Sequence, residues 1–266
     1  MREMSLADIQ GVSLDILVAV DDFCTKKGIK YSLGYGSLIG AVRHKGPIPW
    51  DDDIDIIMER PEYNRFIECF NQECPRGLKL YAPELGNSYF SISRLCDMSR
   101  TFVRKYYQWT DEDTGVWIDV FPVDGLPSDR GEQIRRLTGR CFNICGAIVP
   151  LSLDFSMSRV LKIIGKRVLY GWYSNRKAVH DYLQEVQKCN YESSPLVCNF
   201  SSPYILRDIH RKEVFSSYER VPFANQTVSI LKNYDEYLTN IYDDYMTPPP
   251  KDKQVRSHSD NKYYWR

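Results

Sequence analysis

The acidic run at residues 51–55 is the part of this chain whose residue types most directly indicate chemistry. Its carboxylates stand among isoleucines, and burying several carboxylates there is costly unless a positive charge compensates them. Mg²⁺ can supply that charge, and it is usually held by one or two carboxylates together with the phosphates of a substrate. The run therefore indicates metal-assisted chemistry on a phosphorylated donor. Its acids are Asp51, Asp52, Asp53 and Asp55.

A strand predicted over Asp53–Met58 selects two of these acids. Successive side chains of a strand point to opposite faces, so Asp53 and Asp55 share one face while Asp52 points the other way. Asp51 joins the pair if the strand begins early. The alternative is a solvated acidic turn before an edge strand, as is usual for an isolated Asp-x-Asp pattern.

A Gly-Ser pair upstream supplies a second element of the predicted site. Gly36 and Ser37 follow an apolar strand, and Ser37 is expected to cap the short helix that begins there. Glycine lets the backbone approach a phosphate closely, and a helix N-terminus offers unpaired N–H groups to it. Gly36 and Ser37 are therefore predicted to bind the phosphates of the donor.

A third carboxylate is expected from a neighbouring strand. Asp119 stands alone among apolar residues in the run from Val116 to Pro122. It is predicted to be a metal ligand or the general base for an attacking hydroxyl. The alternative is a buried acid that pairs with an arginine.

Basic residues near these acids are candidates for binding phosphate. Arg43 and His44 lie between the Gly-Ser pair and the acidic run, where they are predicted to grip donor phosphates. The alternative is a solvated helix end, at which cations are favoured by the helix dipole. Arg94 is predicted either to bind phosphate or to pair with one of the buried acids.

The surrounding pattern predicts an α/β fold, of the α+β kind, in which helices flank a mixed sheet. A helix over residues 5–27 ends at Gly28, a strand follows over Ile29–Leu33, and a later helix has Pro61 in its first turn. Further strands are predicted over Leu78–Tyr81, Tyr89–Leu95, Thr101–Tyr106 and Val116–Val120.

Composition divides the chain into three segments. Residues 1–127 form the predicted catalytic core, residues 128–195 a basic helical segment or insertion, and residues 196–266 a mixed segment that completes the same functional unit. The basic segment interleaves arginine and lysine with apolar residues. It is predicted either to rest on an anionic membrane surface or to present a solvated helical face.

Charge and cysteine usage limit the class of protein. The formal net charge is zero, so nucleic acid is not an expected partner. The eight cysteines lack zinc-finger or CxxC spacing, which predicts reduced thiols rather than a disulfide or metal framework. With no signal-peptide pattern at the N-terminus, these features predict a cytoplasmic protein, placed at the inner face of the membrane if the basic segment makes contact.

The motifs together resemble the LicD family, whose animal relatives include fukutin and fukutin-related protein. The first matching block is long and specific, and the matches span most of the chain outside residues 128–195. The matching segments are Gly34–Gly46, Ile48–Asp55, Ile118–Gly125, Tyr234–Leu238 and Tyr242–Met246.

The resemblance implies a nucleotidyltransferase-type fold and a phosphotransferase that depends on Mg²⁺, or alternatively on Mn²⁺. Such enzymes move phosphocholine or a similar alcohol phosphate from a CDP-linked donor, with CDP-choline favoured, and release CMP. The acceptor is a sugar hydroxyl of a cell-surface glycan, such as lipopolysaccharide or teichoic acid, or of its lipid-linked precursor. Asp53 and Asp55 match the family's metal-binding pair, and Gly36 and Ser37 match its Gly-Ser turn. Tyr35 stands where many relatives have a second glycine.

Two other functions stay open from the residues themselves. One is a nucleotidyltransferase that attaches NMP to a small molecule, and the other is a non-catalytic glycan- or nucleotide-binding protein. The late tyrosines are predicted either to contact a sugar or choline or to pack a C-terminal helix on the core. His258 is predicted to be a solvated residue of the polar tail. The tyrosines in question are Tyr234, Tyr237, Tyr242 and Tyr245.

Overall fold

Helices packed on a mixed β-sheet form the body of the protein. The computed structural model describes residues 1–104, 110, 112–126, 132, 135, 136, 138–140, 143, 156–258 and 260–266. Its strands are β1 Ser32–Leu33, β2 Asp55–Glu59, β3 Leu78–Tyr81, β4 Ser93–Asp97, β5 Thr101–Arg104, β6 Trp117–Gly125, β7 Leu196–Cys198, β8 Ile209–Arg211, β9 Tyr218–Phe223, β10 Gln226–Leu231 and β11 Lys262–Trp265.

The central sheet brings charged residues from three strands into one row. Its order is β1-β2-β6-β4-β3, and β7 and β8 extend it from the end of β6. β2 and β6 are parallel, and their register sets Asp55 opposite Asp119. β4 runs antiparallel to β6 and sets Arg94 opposite Asp119. The predicted fold of helices on a mixed sheet is therefore confirmed, and Asp119 lies on the strand adjacent to Asp55.

The helices cover the sheet and its edges. The predicted helix over residues 5–27 is confirmed as α1, which has a capping box formed by Ser5 and Asp8 and ends at Gly28 with φ +61°. Pro61 lies in the first turn of α3, as predicted. The helices are α1 Leu6–Lys27, α2 Tyr35–Ile39, α3 Arg60–Glu73, α4 Met157–Tyr170, α5 Asn175–Val186 and α6 Tyr234–Tyr242, and a π-helical turn over Gly40–His44 follows α2.

Some predicted strand bounds are wrong. β2 begins at Asp55 rather than Asp53, since its pairing with both neighbours begins there. The Asp119 N–H donates to the Ile54 carbonyl and the Gly34 N–H to the Asp55 carbonyl, each at 2.9 Å. Residues 51–54 form a loop instead. β1 is shorter than predicted, β4 begins later, and β6 continues to Gly125.

The last part of the chain folds back onto the first. β11 pairs with β5, and Met4 N–H donates to the Tyr263 carbonyl at 2.8 Å. β9 and β10 form a hairpin, and β10 lies beside β1. Residues 250–258 and 260–266, here called the C-terminal segment, therefore lie against the first part of the chain and contact the acidic loop.

The basic segment is described in part. Its start and the predicted boundary at residue 127 lie outside the described residues, and its described portion contains α4 and α5. No helix in the described ranges has the length and apolarity needed to cross a membrane. Six cysteines lie in the described part of the chain, and all have free thiols, as predicted.

Candidate active site

The charges of Asp51, Asp53, Asp55 and Asp119 act on one another near the start of β2, where Asp55 lies opposite Asp119 of β6. The pKa of Asp55 is raised well above its ordinary value by burial and then by the charges of Asp119 and Asp51. The pKa of Asp53 is likewise raised by burial and then by the charges of Asp55 and Asp51. These four acids therefore repel one another in a half-buried cleft, and a bound cation would relieve that repulsion.

The loop before β2 presents its acids at close range. One carboxylate oxygen from each of Asp51, Asp52 and Asp53 lies within 4.8 Å of the others. The loop is held by Gln10, whose side-chain amide donates to the carbonyls of Ile48 and Asp51 at 3.1 and 2.8 Å. A helix side chain thus fixes a loop that has no strand pairing of its own.

Asp52 bonds to the C-terminal segment. Its fully buried carboxylate pairs with Arg256, with 3.1 Å between Oδ2 and Nε. Its Oδ1 accepts the backbone N–H of His258 at 3.0 Å. Asp52 therefore anchors the segment that covers the loop. Because residues 51–54 form a loop, the strand alternation from which we predicted that Asp52 points away from Asp53 does not apply there.

His258 corrects the prediction of a solvated tail residue. Its side chain is only 22% exposed, and its Nδ1 lies 3.5 Å from Asp52 Oδ1 and 3.6 Å from Asp53 Oδ2. Its ring meets Trp117 edge-on, with centroids 5.5 Å apart. Next to it, Ser257 donates to Asp51 Oδ1 at 2.6 Å. These contacts arise because β11 pairs with β5 and draws the tail across the loop, which no local pattern indicates.

The Gly-Ser pair lies against the carboxylates, but the predicted cap at Ser37 is wrong. Gly34 occupies the N-cap position of α2, and Ser37 lies within the helix. The Ser37 hydroxyl instead accepts the backbone N–H of Asp55 at 2.9 Å. A Cβ at Gly36 would stand 3.0 Å from Asp51 Oδ2, so the glycine makes room for that carboxylate. Phosphate binding by Gly36 and Ser37 stays a prediction.

Tyr35 has a backbone conformation that glycine favours. Its φ is +46°, in the left-handed region that costs a side-chain-bearing residue about 1–2 kcal/mol. Its buried hydroxyl donates to Asp208 at 2.5 Å and accepts from the Asn199 side chain at 2.7 Å. These buried hydrogen bonds offset the strain, so the turn keeps a glycine-like backbone with a tyrosine in place.

Arg94 forms an ion pair with Asp119. From the sequence, such a pair was the alternative to phosphate binding by Arg94 and to a metal or base role for Asp119. Arg94 Nε lies 2.6 Å from Asp119 Oδ1, and both side chains are buried. The guanidinium lies 4.9 Å from the Trp117 ring centroid, and the Trp117 indole N–H donates to Asp119 Oδ2 at 3.3 Å. Each oxygen of Asp119 thus has one donor, which fixes the orientation of the carboxylate. Phosphate contact by Arg94 stays a prediction.

Arg43 and His44 lie at the end of the π-helical turn. Arg43 Nη1 donates to the Tyr245 carbonyl at 2.6 Å, and its Nε donates to His44 Nε2 at 3.0 Å. His44 meets Trp50 edge-on at 6.1 Å. The first of these bonds ties the turn to Tyr245, which follows α6, and the phosphate contacts of Arg43 and His44 stay predictions.

Aromatic rings border the acids on the side of α6. Tyr204 stacks on Tyr35 at 5.9 Å and meets Tyr242 edge-on at 5.0 Å. Burial raises the pKa of both Tyr204 and Tyr242, and the charge of Asp55 contributes to each. Tyr237 and Tyr245 are buried and pack α6 on the core. Tyr204, which sequence reasoning missed, and Tyr242 are therefore two rings of this cluster that the charge of Asp55 reaches.

Three known proteins are similar to this chain in sequence. The chain is 28% identical to the lipopolysaccharide cholinephosphotransferase LicD of Haemophilus influenzae over 276 aligned positions, which cover 99% of each chain. It is 55% identical to an uncharacterized protein of Rickettsia typhi over 126 residues, which are 47% of this chain and 38% of that protein. A second uncharacterized protein, of Rickettsia prowazekii, is 55% identical over 42 residues, which are 15% of this chain and 16% of that protein.

The family match covers the part of the site that the central sheet and the acidic loop supply. Residues 28–135 match the family described as LicD/FKTN/FKRP, nucleotidyltransferase domain. That range contains the Gly-Ser turn, the acidic loop, Arg94 and Asp119, all of which the sheet brings to one cleft. The similarity to the LicD family therefore lies at residues 28–135, through its nucleotidyltransferase domain.

Proposed function

We propose that this protein transfers phosphocholine, or a similar alcohol phosphate, from a CDP-linked donor to a sugar hydroxyl. The acceptor is a cell-surface glycan such as lipopolysaccharide, or its lipid-linked precursor. A relative named as a lipopolysaccharide cholinephosphotransferase aligns with nearly the whole chain, which supports this donor and acceptor. The observation that carries the proposal is the set of facing carboxylates on β2, β6 and the loop before β2.

The residues of the cleft fit a magnesium ion. Asp53, Asp55 and Asp119 offer the oxygen ligands that Mg²⁺ prefers, and Mn²⁺ accepts the same set. Within the described structure, His258 Nδ1 is buried without a hydrogen-bond partner, 3.6 Å from Asp53 Oδ2. The cleft therefore has excess negative charge and, beside Asp53, a buried imidazole nitrogen that makes no hydrogen bond. When bound, the cation would neutralise charge on the donor diphosphate and on the departing CMP.

The chain's own residues orient the ligands. Arg94 and Trp117 hold the Asp119 carboxylate, and the Ser37 hydroxyl holds the backbone at Asp55. We assign Asp119 to the metal site rather than to proton transfer, because each of its oxygens already accepts one hydrogen bond. Positioning of this kind accounts for much of the rate enhancement in phosphoryl transfer.

The aromatic cluster is suited to the alcohol of the donor. Tyr204 is 36% exposed and Tyr242 is half-buried, and both lie close enough to Asp55 to respond to its charge. A quaternary ammonium is attracted to the faces of such rings. We propose that these two tyrosines bind the choline group of the donor.

In the proposed reaction the acceptor hydroxyl oxygen bonds to the phosphorus of the choline phosphate. The bond from that phosphorus to the oxygen of CMP breaks, and CMP leaves with the electron pair. The hydroxyl proton passes to solvent or to the departing phosphate. A nucleotidyltransferase would instead break the bond between the bridging oxygen and the phosphorus attached to cytidine, and it would not release free CMP. The products therefore distinguish the two activities.

The test is release of CMP from CDP-choline with purified lipopolysaccharide as the trial acceptor. We expect release that requires Mg²⁺ and falls by at least about a thousandfold in the double variant Asp53→Asn, Asp55→Asn, as for other groups that stabilise transition-state charge. Asp22→Asn, at an exposed acid of α1, is the matched control and keeps full activity. Activity that survives in the double variant would exclude the assigned metal site.

A further inference from the structure

Helix α4 exposes a continuous apolar stripe. Met157, Leu161, Ile164 and Val168 recur at intervals of three and four residues, so they lie on one face of the helix. Their exposed fractions run from 44% at Ile164 to 74% at Val168, whereas Ile163 points inward at 5%. An exposed apolar stripe of this length on a soluble domain marks a contact surface.

An exposed tryptophan extends the stripe past the end of the helix. Trp172 is 79% exposed, and its indole N–H donates to the Leu169 carbonyl at 2.9 Å, which holds the ring at the helix end. Tryptophan is enriched at the boundary between lipid and water, since its ring is apolar and its N–H is polar.

The charge around the stripe is of one sign. Residues 156–177 contain six lysines and arginines and no aspartate or glutamate, although the whole chain has zero net charge. Lys162 and Arg167 lie on opposite flanks of the apolar stripe, by the helical spacing of 100° per residue. A basic amphipathic helix of this kind complements the surface of an anionic bilayer. An apolar surface that served only self-association would not need this excess of positive charge.

The stripe is connected to the segment that covers the carboxylates. Arg159, in the first turn of α4, pairs with Asp260 at 2.9 Å. Asp260 follows His258 by two residues, and His258 lies against Asp52 and Asp53. An ion pair therefore links α4 to the segment that contacts the cleft.

We propose that α4 and Trp172 bind an anionic phospholipid surface, with the helix lying in the plane of the interface. The 14 residues of α4 span about 21 Å, too short to cross the roughly 30 Å hydrocarbon core. Binding would use the apolar stripe for insertion and the lysines and arginines for attraction to lipid head groups. This inference does not depend on the proposed donor or on catalysis.

The test is sedimentation of the full chain with phosphatidylcholine vesicles, prepared with or without phosphatidylglycerol. We expect binding only when phosphatidylglycerol is present, and weaker binding as salt is added. The double variant Leu161→Ser, Val168→Ser should bind at least about tenfold more weakly, because it removes two exposed apolar side chains from the stripe. Leu206→Ser, at a leucine 67% exposed elsewhere, is the matched control and should bind like wild type.

Fluorescence reports directly on the contact. Vesicles containing phosphatidylglycerol should shift tryptophan emission to shorter wavelength in wild type, and the shift should be lost in Trp172→Phe.

Equal binding by the wild type and the Leu161→Ser, Val168→Ser variant would overturn the proposal. So would a wild-type dimer that this variant converts to a monomer without any vesicle binding, because the stripe would then join two copies of the chain. CMP release with a soluble acceptor should be unchanged in this variant, which separates failure here from failure of the proposed activity.

Discussion

At the scale of single residues, the cleft disfavours the charged forms of Asp53 and Asp55. Burial raises the pKa of each, and neighbouring carboxylates add to the effect. The folded protein therefore holds protons on these carboxyls more tightly than the unfolded chain. Their contribution to stability is present below the ordinary aspartate value of 3.8 and is lost as pH rises toward the raised pKa values.

Asp55→Asn should stabilise the metal-free protein at neutral pH. Removing one of the repelling charges should raise the free energy of unfolding by about 1 kcal/mol, or roughly 2–4 °C in Tm for a chain of this size. The gain over wild type should vanish as pH falls below 3.8, where the wild-type carboxyl is protonated in both states. Thermal unfolding in a chelator across this pH range measures it.

Magnesium should reverse the order of stability of wild type and Asp55→Asn. Added Mg²⁺ should raise the Tm of wild type and of Asp22→Asn, but leave Asp55→Asn almost unchanged, because the variant lacks one of the ligands. If Asp55→Asn were the less stable protein at neutral pH without metal, the repulsion described here would be wrong.

Tyr35→Phe tests how the strained turn is held. Loss of the hydroxyl leaves Asp208 and Asn199 without their buried partner, so the free energy of unfolding should fall by about 1–3 kcal/mol. Tyr234→Phe makes the same change at a half-buried tyrosine of α6 and should stay within about 0.5 kcal/mol of wild type. Denaturant unfolding compares them, and equal stability of the two variants would contradict this account of the turn.

At the scale of elements, the C-terminal segment acts as a brace for the acidic loop. Arg256 neutralises the buried Asp52, while Ser257 and His258 contact Asp51, Asp52 and Asp53. The loop has no strand partner, so this segment and Gln10 hold its acids in place.

Arg256→Ala should loosen this brace. It leaves the Asp52 carboxylate buried without its cation, which should cost about 1–3 kcal/mol of stability and raise the Mg²⁺ concentration needed for activity. Adding Asp52→Asn in the same chain should restore part of the stability, since the uncompensated charge is gone. Lys253→Ala, at an exposed lysine of the same segment, is the control. Absence of any recovery in the double variant would contradict a direct pairing.

Local patterns in the sequence predict the elements better than the contacts between them. The apolar run around Asp119 placed it on a strand next to that of Asp55, as the register of β2 and β6 has it. Strand alternation does not hold at Asp53, which lies in the loop before β2. The cap at Ser37 was wrong because its hydroxyl bonds to Asp55, 18 residues away. Such a bond depends on the tertiary fold and leaves no periodic signal.

At the scale of the whole molecule, contacts between residues far apart in the sequence build the cleft. His258 reaches Asp52 across 206 positions, and Tyr35 reaches Asp208 across 173. The core and the last segment therefore cooperate in one site, although composition alone separates them. Tyr204 and His258 could not be identified from the sequence, because each joins the cleft only through such long-range contacts.

One measurement tests the central claim most directly. The protein is incubated with Mg²⁺, lipopolysaccharide and CDP-choline that carries separate labels on choline and on cytidine. The account predicts that the choline label moves to the glycan and that the cytidine label is recovered as CMP, with neither change in the Asp53→Asn, Asp55→Asn variant. Cytidine label on the acceptor, or choline transfer that persists in that variant, would contradict it.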